Sequence, residues 1–464
     1  MFNAATYTQR RNQLIQRMSS GLLLLMGNEE SPMNYADNIY HFRQDSSFLY
    51  YFGLDHPNLN ALIDVDSGAC IIFGKELSID DIVWTGPQPT LVEQAAKVGI
   101  SKTAAPDQLM NHLAKAKQVG RTIHYLPPYR SANKIKLHQW LGIPLAEVKQ
   151  HASQALIHAV IAQRSIKSEQ EIAEIEKALD TTAAMHLAAM KGAKPGIVEA
   201  ELTGQVHGIA VGGGGELAYP VILTVNGQTL HNHYHGNTLQ SGQLVLGDFG
   251  AETAMHYAAD ITRTFPVDRQ FTQQQKEIYQ IVLDAEVGVI DRLSAQQTYL
   301  DMHLLAARII TDGLKALGLM KGDTDAAIAA GAHALFFPHG LGHMLGLDVH
   351  DMEDLGEDWV GYSDQIQRSQ QFGLKSLRLG KPLEAGFVLT VEPGIYFIPE
   401  LIDRWQAEGR NEAFINFAAL DAYRNFGGIR IEDDVLIEAQ GARVLGQAIP
   451  KTIAEVEAIR QSVV

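Results

Sequence analysis

Hydrophobic and polar positions follow two patterns along the first third of the chain. Short apolar runs such as GLLLLMG, ALIDVDSGACIIFG and TIHYLPP have the length of buried strands, whereas TLVEQAAKVGI and PDQLMNHLAKAKQV repeat apolar residues at helical spacing. Strands that alternate with helices are typical of an α/β domain. The same region contains FRQDSSFLYYFGLDHP, an aromatic cluster that we expect to pack around a strand rather than to contact a substrate.

The pattern changes at a strong helix start near position 168. Ser168 and Glu171 form a capping box, and apolar residues then recur at helical spacing. Further on, helical patterns alternate with strand-like segments that carry acidic residues: QLVLGDFGAE, HYAADITRTFP, EAGFVLTVEPGIYF and GGIRIEDDVLI. We therefore predict an α/β (α+β) protein with an N-terminal domain over residues 1–157 and a second domain over residues 158–464.

Composition narrows the classes of function. Of 464 residues, 46% are hydrophobic and 19% are charged, as in soluble globular proteins, and the net charge of −16 predicts neither a nucleic-acid nor a membrane partner. The single cysteine, Cys70, excludes an internal disulfide framework and a thiolate-rich metal site. Because the N-terminal residues lack a signal-peptide pattern and no apolar run has membrane-spanning length, we expect a cytoplasmic protein.

Two aspartates stand at the ends of neighbouring strand-like segments. Asp248 ends the apolar run LVLG, and Asp260 opens ITRTFP after a stretch that can turn back. Either residue alone is an ordinary turn aspartate. If the two strands are adjacent and antiparallel, however, both carboxylates lie close together.

Histidines recur in the glycine-rich segment PHGLGHMLGLDVHD, whose composition argues against a helix. His339 and His343 are four residues apart and therefore lie on one side of either a helix or a strand. His350 has the opposite parity from His343, so its position depends on a bend in the chain. A lone histidine is more often a satisfied core or surface residue than a ligand.

Two glutamates end apolar segments in the last quarter of the chain. Glu392 follows FVLTV, and Glu432 lies in the strand-like segment GGIRIEDDVLI. A glutamate that loses water in this way needs a cation or a donor to compensate. Arg430 lies on the same strand face as Glu432, at the spacing of two, and could compensate it in part.

Together these residues form a set of oxygen ligands with one nitrogen ligand. Four buried carboxylates would raise one another's pKa unless positive charge lies between them, and two divalent cations meet that need. An oxygen-rich donor set suits Mn²⁺, with Co²⁺, Fe²⁺ or Zn²⁺ as alternatives. A dinuclear centre of this kind predicts a hydrolytic enzyme. The set comprises Asp248, Asp260, His343, Glu392 and Glu432.

At these residues the sequence closely resembles the pita-bread metallopeptidases, and within them the Xaa-Pro peptidases of the aminopeptidase P and prolidase type. The motifs GDFGAE, ADITRTFP, HGLGHMLGLDVHD, TVEPGIYF and GGIRIEDD occur in order, after the N-terminal FRQDSSFLYYFGLDHP. The resemblance implies an N-terminal aminopeptidase P-like domain and a pita-bread catalytic domain, whose curved antiparallel sheet holds a dinuclear site.

The resemblance also implies individual roles. Asp248 and Asp260 would be metal ligands from the first half of the site, with Asp260 bridging; the second-half ligands would be His343, Glu392 and a bridging Glu432. Glu392 would also accept the proton of the attacking water, and Arg430 would orient Glu432. His350 would stabilise the tetrahedral intermediate, with His339 near the substrate. In HNHYHGN, His233 would contact the substrate, with His231 and His235 as alternatives.

The implied substrates are proline-containing peptides, whose Xaa-Pro bond is a tertiary amide that general peptidases handle poorly. We expect an Xaa-Pro aminopeptidase, with an Xaa-Pro dipeptidase as the close alternative. The dipeptidase needs a cation for the substrate's carboxylate, and Arg378 stands where the prolidase pattern carries an arginine. A metal-free creatinase-like enzyme and an inactive pita-bread binding module are more remote, because all five ligands are retained. The resemblance also implies a homodimer or homotetramer.

Overall fold

A computed structural model describes residues 1–462, which fall into two compact units. The first unit is Met1–Arg164 with the short segment Glu353–Gly356, and the second is Ser165–Met352 with the chain from Glu357 onward. A helix at Gln154–Arg164 ends the first unit, and the predicted domain boundary after residue 157 lies inside this helix.

The first unit combines a mixed sheet with helices. Its strands are β1 (Leu22–Met26), β2 (Asn60–Asp64), β3 (Cys70–Phe73), β4 (Thr103–Ala104) and β5 (Ile123–Tyr125), in the sheet order β4-β3-β2-β1-β5. Its helices are α1 (Ala4–Gln16), α2 (Ser46–Phe52), α3 (Ile79–Thr85), α4 (Leu91–Lys97), α5 (Pro106–Gln118), α6 (Ser131–Leu141) and α7 (Gln154–Arg164).

Apolar spacing explains how α5 joins the sheet. Leu109, Leu113 and Ala116 recur at intervals of four and three, so they share one helix face, and all three are buried. The two leucines pack with Leu24 and Phe73 from the strands. Full burial of one such leucine contributes roughly 1.5–3 kcal/mol to the free energy of unfolding.

The aromatic segment SSFLYYF forms a helix, α2, that contacts strand β1, in agreement with the predicted packing around a strand. The Asp45 side chain accepts a hydrogen bond from Phe48 N and caps the helix, and Gly53 ends it with a positive φ of 61°. All seven residues of α2 are buried. Burial on every face removes the amphipathic spacing by which a helix is recognised in a sequence.

The second unit contains the remaining elements. Its strands are β6 (Glu216–Leu217), β7 (Ile222–Thr224), β8 (Leu244–Asp248), β9 (Ala251–Glu252), β10 (Thr262–Pro266), β11 (Val388–Val391), β12 (Gly394–Tyr396), β13 (Gly428–Arg430), β14 (Asp433–Ile437) and β15 (Ala442–Val444). Its helices are α8 (Glu169–Gly192), α9 (Glu199–Gly212), α10 (Gln273–Ile290), α11 (Tyr299–Ala316), α12 (Thr324–Ala329), α13 (Glu357–Gly361), α14 (Pro399–Ala407), α15 (Phe417–Leu420) and α16 (Ile453–Gln461).

Every strand pairing in the described part of this unit is antiparallel. The strand orders are β10-β8-β7, β11-β14-β15, β12-β13 and β6-β9. Further hydrogen bonds join these groups of strands. Glu432 N donates to Thr262 O over 3.1 Å, and the Thr264 hydroxyl donates to Arg430 O over 3.0 Å. The strands β8, β10, β11, β13 and β14 thus bring their ends to one region.

Among residues 1–462, no helix combines the length and the apolar composition that a membrane crossing requires.

A buried arginine near the C-terminus ties α16 to two other segments of the second unit. The Arg460 guanidinium donates to Pro266 O over 2.9 Å and to Val267 O and Ala193 O over 2.6 Å each, and the residue is only 3% exposed. These carbonyl oxygens would be left without partners if the guanidinium were removed.

We predict that Arg460→Met lowers the free energy of unfolding by about 2 to 4 kcal/mol, because buried acceptors lose a charged donor. The matched control is Arg443→Met, which removes a surface ion pair with Glu176 (2.6 Å) and should change it by less than about 1 kcal/mol. Urea unfolding followed by circular dichroism compares the two variants. Equal losses would contradict the role given to Arg460.

Candidate metal centre

The two aspartates predicted from strand ends do come together. Strands β8 and β10 are antiparallel, with Asp248 opposite Thr262, and Asp260 precedes β10 by two residues. The Tyr219 hydroxyl lies between them, 2.6 Å from Asp248 Oδ1 and in hydrogen-bond contact with Asp260 Oδ1. A phenol has one proton to donate, so the two carboxylates share it.

His343 reaches the same point from the glycine-rich loop beside β11. Its backbone N donates to Thr390 Oγ1 (3.2 Å), and Thr390 N donates to His343 O (3.0 Å). This close approach requires a glycine next to it, because a Cβ at Gly342 would overlap the Thr390 carbonyl oxygen. The loop contains no helix, as its composition predicted.

The His343 ring is oriented for ligation. Its Nδ1 donates to Met344 O over 3.1 Å, which leaves the Nε2 lone pair facing the carboxylates. Nε2 lies 3.4 Å from Asp260 Oδ2 and 3.5 Å from Glu392 Oε1. Hydrogen bonding of the far ring nitrogen to a carbonyl is the usual arrangement of a metal-binding histidine.

The two glutamates complete the centre. Glu392 follows β11, and its backbone N donates to Leu341 O over 2.8 Å. Glu432 lies between β13 and β14, where the strand breaks, and its Oε2 accepts from the Thr262 hydroxyl over 2.6 Å. Glu432 is 2% exposed, whereas the Glu392 side chain keeps 18% of its surface exposed and so faces the open side of the centre.

Arg430 is buried in the centre but contacts a different carboxylate from the predicted one. Its Nη2 forms an ion pair with Asp248 Oδ2, and its Nε donates to Thr262 Oγ1 over 3.0 Å. Arg430 therefore reaches Glu432 only through the Thr262 hydroxyl. Strand parity placed both side chains on the correct face, but the face also includes residues from β8 and β10 that parity along one strand cannot reveal.

His339 belongs to a directed chain of hydrogen bonds. Arg430 Nη1 donates to the Tyr396 hydroxyl over 2.8 Å, and that hydroxyl lies 2.8 Å from His339 Nε2. His339 Nδ1 donates to Gly340 O over 2.8 Å and lies 3.9 Å from Glu392 Oε2. Burial and the charge of Arg430 lower the pKa of His339 to about 3, so the ring is neutral and its Nε2 accepts from Tyr396.

Burial and mutual repulsion shift the pKa values of the carboxylates. Burial raises the pKa of Glu392 to about 7 against the opposing charges of His343 and Arg430, and burial together with the neighbouring carboxylates raises that of Glu432 well above its ordinary value. The pKa of Asp248 is also raised by burial. For Asp260, burial is outweighed by the His343 contact, and its pKa lies below the ordinary value. Such a set is stable in the ionised form only around added positive charge.

The acidic residues that follow Glu432 face in opposite directions. Asp434 Oδ2 accepts from Asp260 N over 3.0 Å, on the side of the centre. Asp433 turns away and pairs with Arg263 (2.6 Å) and Lys451 (2.5 Å). Alternation along the strand thus gives the three adjacent acids separate partners.

In the segment HNHYHGN, His231 follows Leu230, which packs against the cluster that includes Tyr396 of the centre. Burial lowers the pKa of His231, Asp248 opposes that shift, and the charges of Arg430 and Arg378 lower the pKa further. His235 Nδ1 lies 3.2 Å from Leu223 O, away from the carboxylates.

Two other predicted residues, His350 and Arg378, have defined contacts in the structure. The loop bends back so that Asp351 N donates to Met344 O over 2.9 Å, and the His350 ring then lies 4.4 Å from the His343 ring. Arg378 forms an ion pair with Glu357, which fixes the position of its guanidinium. The preceding residue, Leu377, lies against Gly340, next to His339, so this segment borders the centre.

Sequence reasoning missed four polar residues of the centre. Three of them lie at even spacing from a predicted ligand, so the alternation of strand faces could have identified them. The fourth, a tyrosine beside Pro220, has no such signal. The four are Thr262, Thr390, Tyr396 and Tyr219.

The donor set fits a divalent metal ion. Asp260, His343 and Glu432 are buried, and each offers one ligand atom within 4.8 Å of the others. Oxygen donors with one imidazole and no thiolate suit a hard or borderline divalent cation.

The sequence profile of Metallopeptidase family M24 matches residues 173–439, and that of the aminopeptidase P N-terminal domain matches residues 7–124. The chain belongs to metallopeptidase family M24. This confirms the resemblance seen in the motifs and makes the protein a metallo-exopeptidase. The predicted class, a mixed N-terminal domain with a pita-bread catalytic domain, is confirmed as well.

Relatives of this M24 metallopeptidase cover nearly its whole length. It is 32% identical to the Xaa-Pro dipeptidase of Homo sapiens, over 97% of this chain and 90% of that protein. It is equally 32% identical to a probable Xaa-Pro aminopeptidase of Fusarium vanettenii, over 95% and 92%. The structure of Pseudomonas aeruginosa aminopeptidase PepP matches with a TM-score of 0.82 and 28% identity, over 99% and 98%. Escherichia coli aminopeptidase P with the inhibitor Pro-Leu gives 0.81 and 29%, over 99% of each chain.

We predict that chelation of divalent ions lowers the thermal midpoint of this M24 metallopeptidase and that Mn²⁺ restores it. An ion held at one hundred times its dissociation constant stabilises the fold by about 2.7 kcal/mol. Differential scanning calorimetry with EDTA and then with added Mn²⁺ measures the shift.

The matched variant is Glu432→Gln, which removes one of the mutually repelling carboxylates. Its metal-free form should melt higher than that of the parent protein, and its response to Mn²⁺ should be smaller. A metal-free parent as stable as the Mn²⁺-loaded one would contradict the view that these carboxylates require a cation.

Proposed function

We propose that the chain hydrolyses the Xaa-Pro peptide bond of short peptides and that Xaa-Pro dipeptides are its preferred substrates. The observation that carries the proposal is the joint position of two groups. The carboxylate centre lies at the strand ends, and Leu377, the residue before Arg378, lies against Gly340 next to His339. Names of relatives at equal identity include both the dipeptidase and the aminopeptidase, so the choice between them depends on local chemistry.

The proposed centre holds two divalent ions, with Mn²⁺ as the preferred metal because four of the five proposed ligands are carboxylates. The proposed ligands are Asp248, Asp260, His343, Glu392 and Glu432. Bound there, the ions would supply Lewis-acid polarisation of the scissile carbonyl and a lowered pKa for the attacking water.

Glu392 is proposed as the general base. It is the most exposed of the carboxylates measured above, so its Oε atoms can meet both a water and a substrate. Its own contacts are weak, since the Thr390 hydroxyl is 3.4 Å from Oε1. A carboxylate without strong internal partners can accept and return a proton during one turnover.

The surrounding histidines are proposed to act on the substrate. His339 is neutral, with a proton on Nδ1 that can be redirected from Gly340 O to a substrate oxygen. His350, beside the His343 ring, is proposed to stabilise the developing negative charge of the tetrahedral intermediate. For substrate contact we propose His231 ahead of His233, because Leu230 beside it packs against the cluster that includes Tyr396.

Arg378 is proposed to bind the carboxylate of the proline residue. In an Xaa-Pro dipeptide this carboxylate directly follows the scissile bond, so a cation near the centre favours short substrates. The aminopeptidase alternative is supported by the solved structures, which are aminopeptidase P proteins. In a longer peptide the carboxylate becomes a neutral amide and gains nothing from Arg378.

We also propose a cytoplasmic homodimer or homotetramer, on the basis of the single cysteine and the resemblance to the family. The net charge of −16 supports peptide substrates rather than a nucleic-acid partner.

We predict that Glu392→Gln lowers kcat for an Xaa-Pro substrate by at least about a thousandfold, because the amide cannot accept the proton of the attacking water. Release of the N-terminal residue is measured by chromatography at saturating Mn²⁺, and metal content is checked alongside. An unchanged kcat would overturn the assignment of Glu392 as the base.

We predict that the parent protein cleaves an Xaa-Pro dipeptide and that Arg378→Leu raises KM for it by about ten- to hundredfold, the effect of losing one charge-assisted contact. The matched control is Arg368→Leu, which removes a guanidinium bound to the other oxygen of Glu357 (2.8 Å). Its KM should stay within about threefold of the parent value.

The decisive comparison uses Xaa-Pro against Xaa-Pro-Yaa-Zaa. Faster cleavage of the tetrapeptide, with no effect of Arg378→Leu on the dipeptide, would favour the aminopeptidase instead.

A further inference from the structure

The segment that carries His231, His233 and His235 is a loop with a narrow neck. It leaves the end of β7 at Thr224 and returns to the chain before β8, and we call residues 226–236 the histidine loop. Its tip is open to solvent, since Tyr234 is 65% exposed. An exposed loop holds a side chain near a metal centre only if its ends are fixed.

A single buried carboxylate joins the two ends of this neck. Glu199 Oε1 accepts from Val225 N over 2.8 Å. Its Oε2 accepts from Asn237 Nδ2 over 2.9 Å and from Asn237 N over 3.2 Å. Glu199 is 0% exposed, so these bonds are made away from water, where charge-assisted hydrogen bonds are strong.

The contribution of the side chain can be separated from that of the backbone. The returning end of the loop is already anchored by main-chain bonds, from Glu199 N to Asn237 O (3.0 Å) and from Ala200 N to His235 O (2.9 Å). At the outgoing end, Val225 N donates its hydrogen bond to the Glu199 carboxylate. Loss of the carboxylate should therefore release the outgoing side, which leads directly to His231.

Contacts inside the loop transmit this constraint. Asn232 Nδ2 donates to the Thr224 hydroxyl over 2.9 Å, and Tyr234 N donates to Asn232 Oδ1 over 3.0 Å. The bonds of Asn232 tie the middle of the histidine loop to Thr224 at its neck. His231 lies between Asn232 and Leu230. Leu230 packs against the cluster that includes Tyr396, whose hydroxyl is hydrogen-bonded to His339 and Arg430.

We infer that Glu199 is a positioning residue, which closes the neck of the histidine loop and so holds His231 where substrate binds. The inference rests on the proposed function, in which His231 contacts the substrate. Glu199 itself contacts neither the metal ligands nor, in this proposal, the substrate. It should therefore affect substrate affinity more than turnover.

The first test is Glu199→Gln in the full-length, Mn²⁺-loaded protein. The amide has the same shape, but only one of its two terminal atoms accepts hydrogen bonds, so one side of the neck loses its partner. KM for an Xaa-Pro dipeptide should rise by about tenfold, the equivalent of one lost hydrogen bond, with kcat within about threefold of the parent value. The thermal response to Mn²⁺ should be unchanged.

A compensating change separates positioning from simple loss of stability. Asn237→Asp places a second carboxylate against Glu199 and should impair binding, whereas Glu199→Gln combined with Asn237→Asp gives the amide an acceptor and should recover much of the parent KM. The matched control is Glu201→Gln, two residues along α9, whose carboxylate accepts a hydrogen bond from Val198 N over 3.0 Å. That control should leave KM unchanged.

Limited proteolysis gives a readout that does not depend on activity. Chymotrypsin should cut after the exposed Tyr234 about tenfold faster in Glu199→Gln than in the parent, because cleavage follows the population of the opened loop. Mass spectrometry locates the cut. If the parent does not hydrolyse Xaa-Pro bonds, the proposed function fails, whereas the rate of cleavage at Tyr234 still tests the neck.

Three outcomes would overturn the inference. The first is an unchanged KM together with unchanged cleavage at Tyr234. The second is faster cleavage at Tyr234 with an unchanged KM, which would show that the neck does not position a substrate contact. The third is a parallel fall of kcat, metal response and thermal midpoint, which would make Glu199 a general stability residue.

Discussion

The catalytic unit depends on one electrostatic constraint, the burial of four carboxylates around a common point. Each of Asp248, Asp260, Glu392 and Glu432 lies at or close to the end of a strand that is hydrogen-bonded to a neighbouring strand. The ladder hydrogen bonds fix the main chain, so the side chains cannot separate to relieve their repulsion. A flexible loop would let them turn outward to water, and the cation site would be lost.

Side chains of the protein neutralise only part of the negative charge of these carboxylates, so the centre keeps a net negative charge. Arg430 pairs with Asp248, and Tyr219 donates one proton between two aspartates. On the other side of β14, Arg263 and Lys451 are occupied by Asp433, so their charges are directed away from the ligands. Apart from Arg430, these cations are held away from the ligands, and the remaining negative charge is available to divalent ions.

Much of this arrangement follows from the sequence, because ligands at strand ends obey a period of two. That rule placed Arg430 and Glu432 on one face, and antiparallel pairing of adjacent strands brought Asp248 and Asp260 together. The sequence pattern did not predict features that depend on contacts between distant parts of the chain. The pairing of Arg430 with Asp248 crosses between strands that are distant in sequence. The helix α2 is buried on all faces, so it has no amphipathic pattern, and Tyr219 lies beside a proline in no recognisable motif.

The proposed metal ligands and the proposed substrate-binding residues lie on different kinds of local structure. The ligands lie at the ends of paired strands, whereas His231 lies in a loop closed by Glu199, and Arg378 lies in an irregular segment fixed by Glu357. Strand ends tolerate little change, because a shift of one residue would turn a ligand to the wrong face. Loop groups can change without disturbing the centre. In the proposed function, the same centre can serve dipeptides or longer peptides, and the contact of Arg378 with the proline carboxylate decides between them.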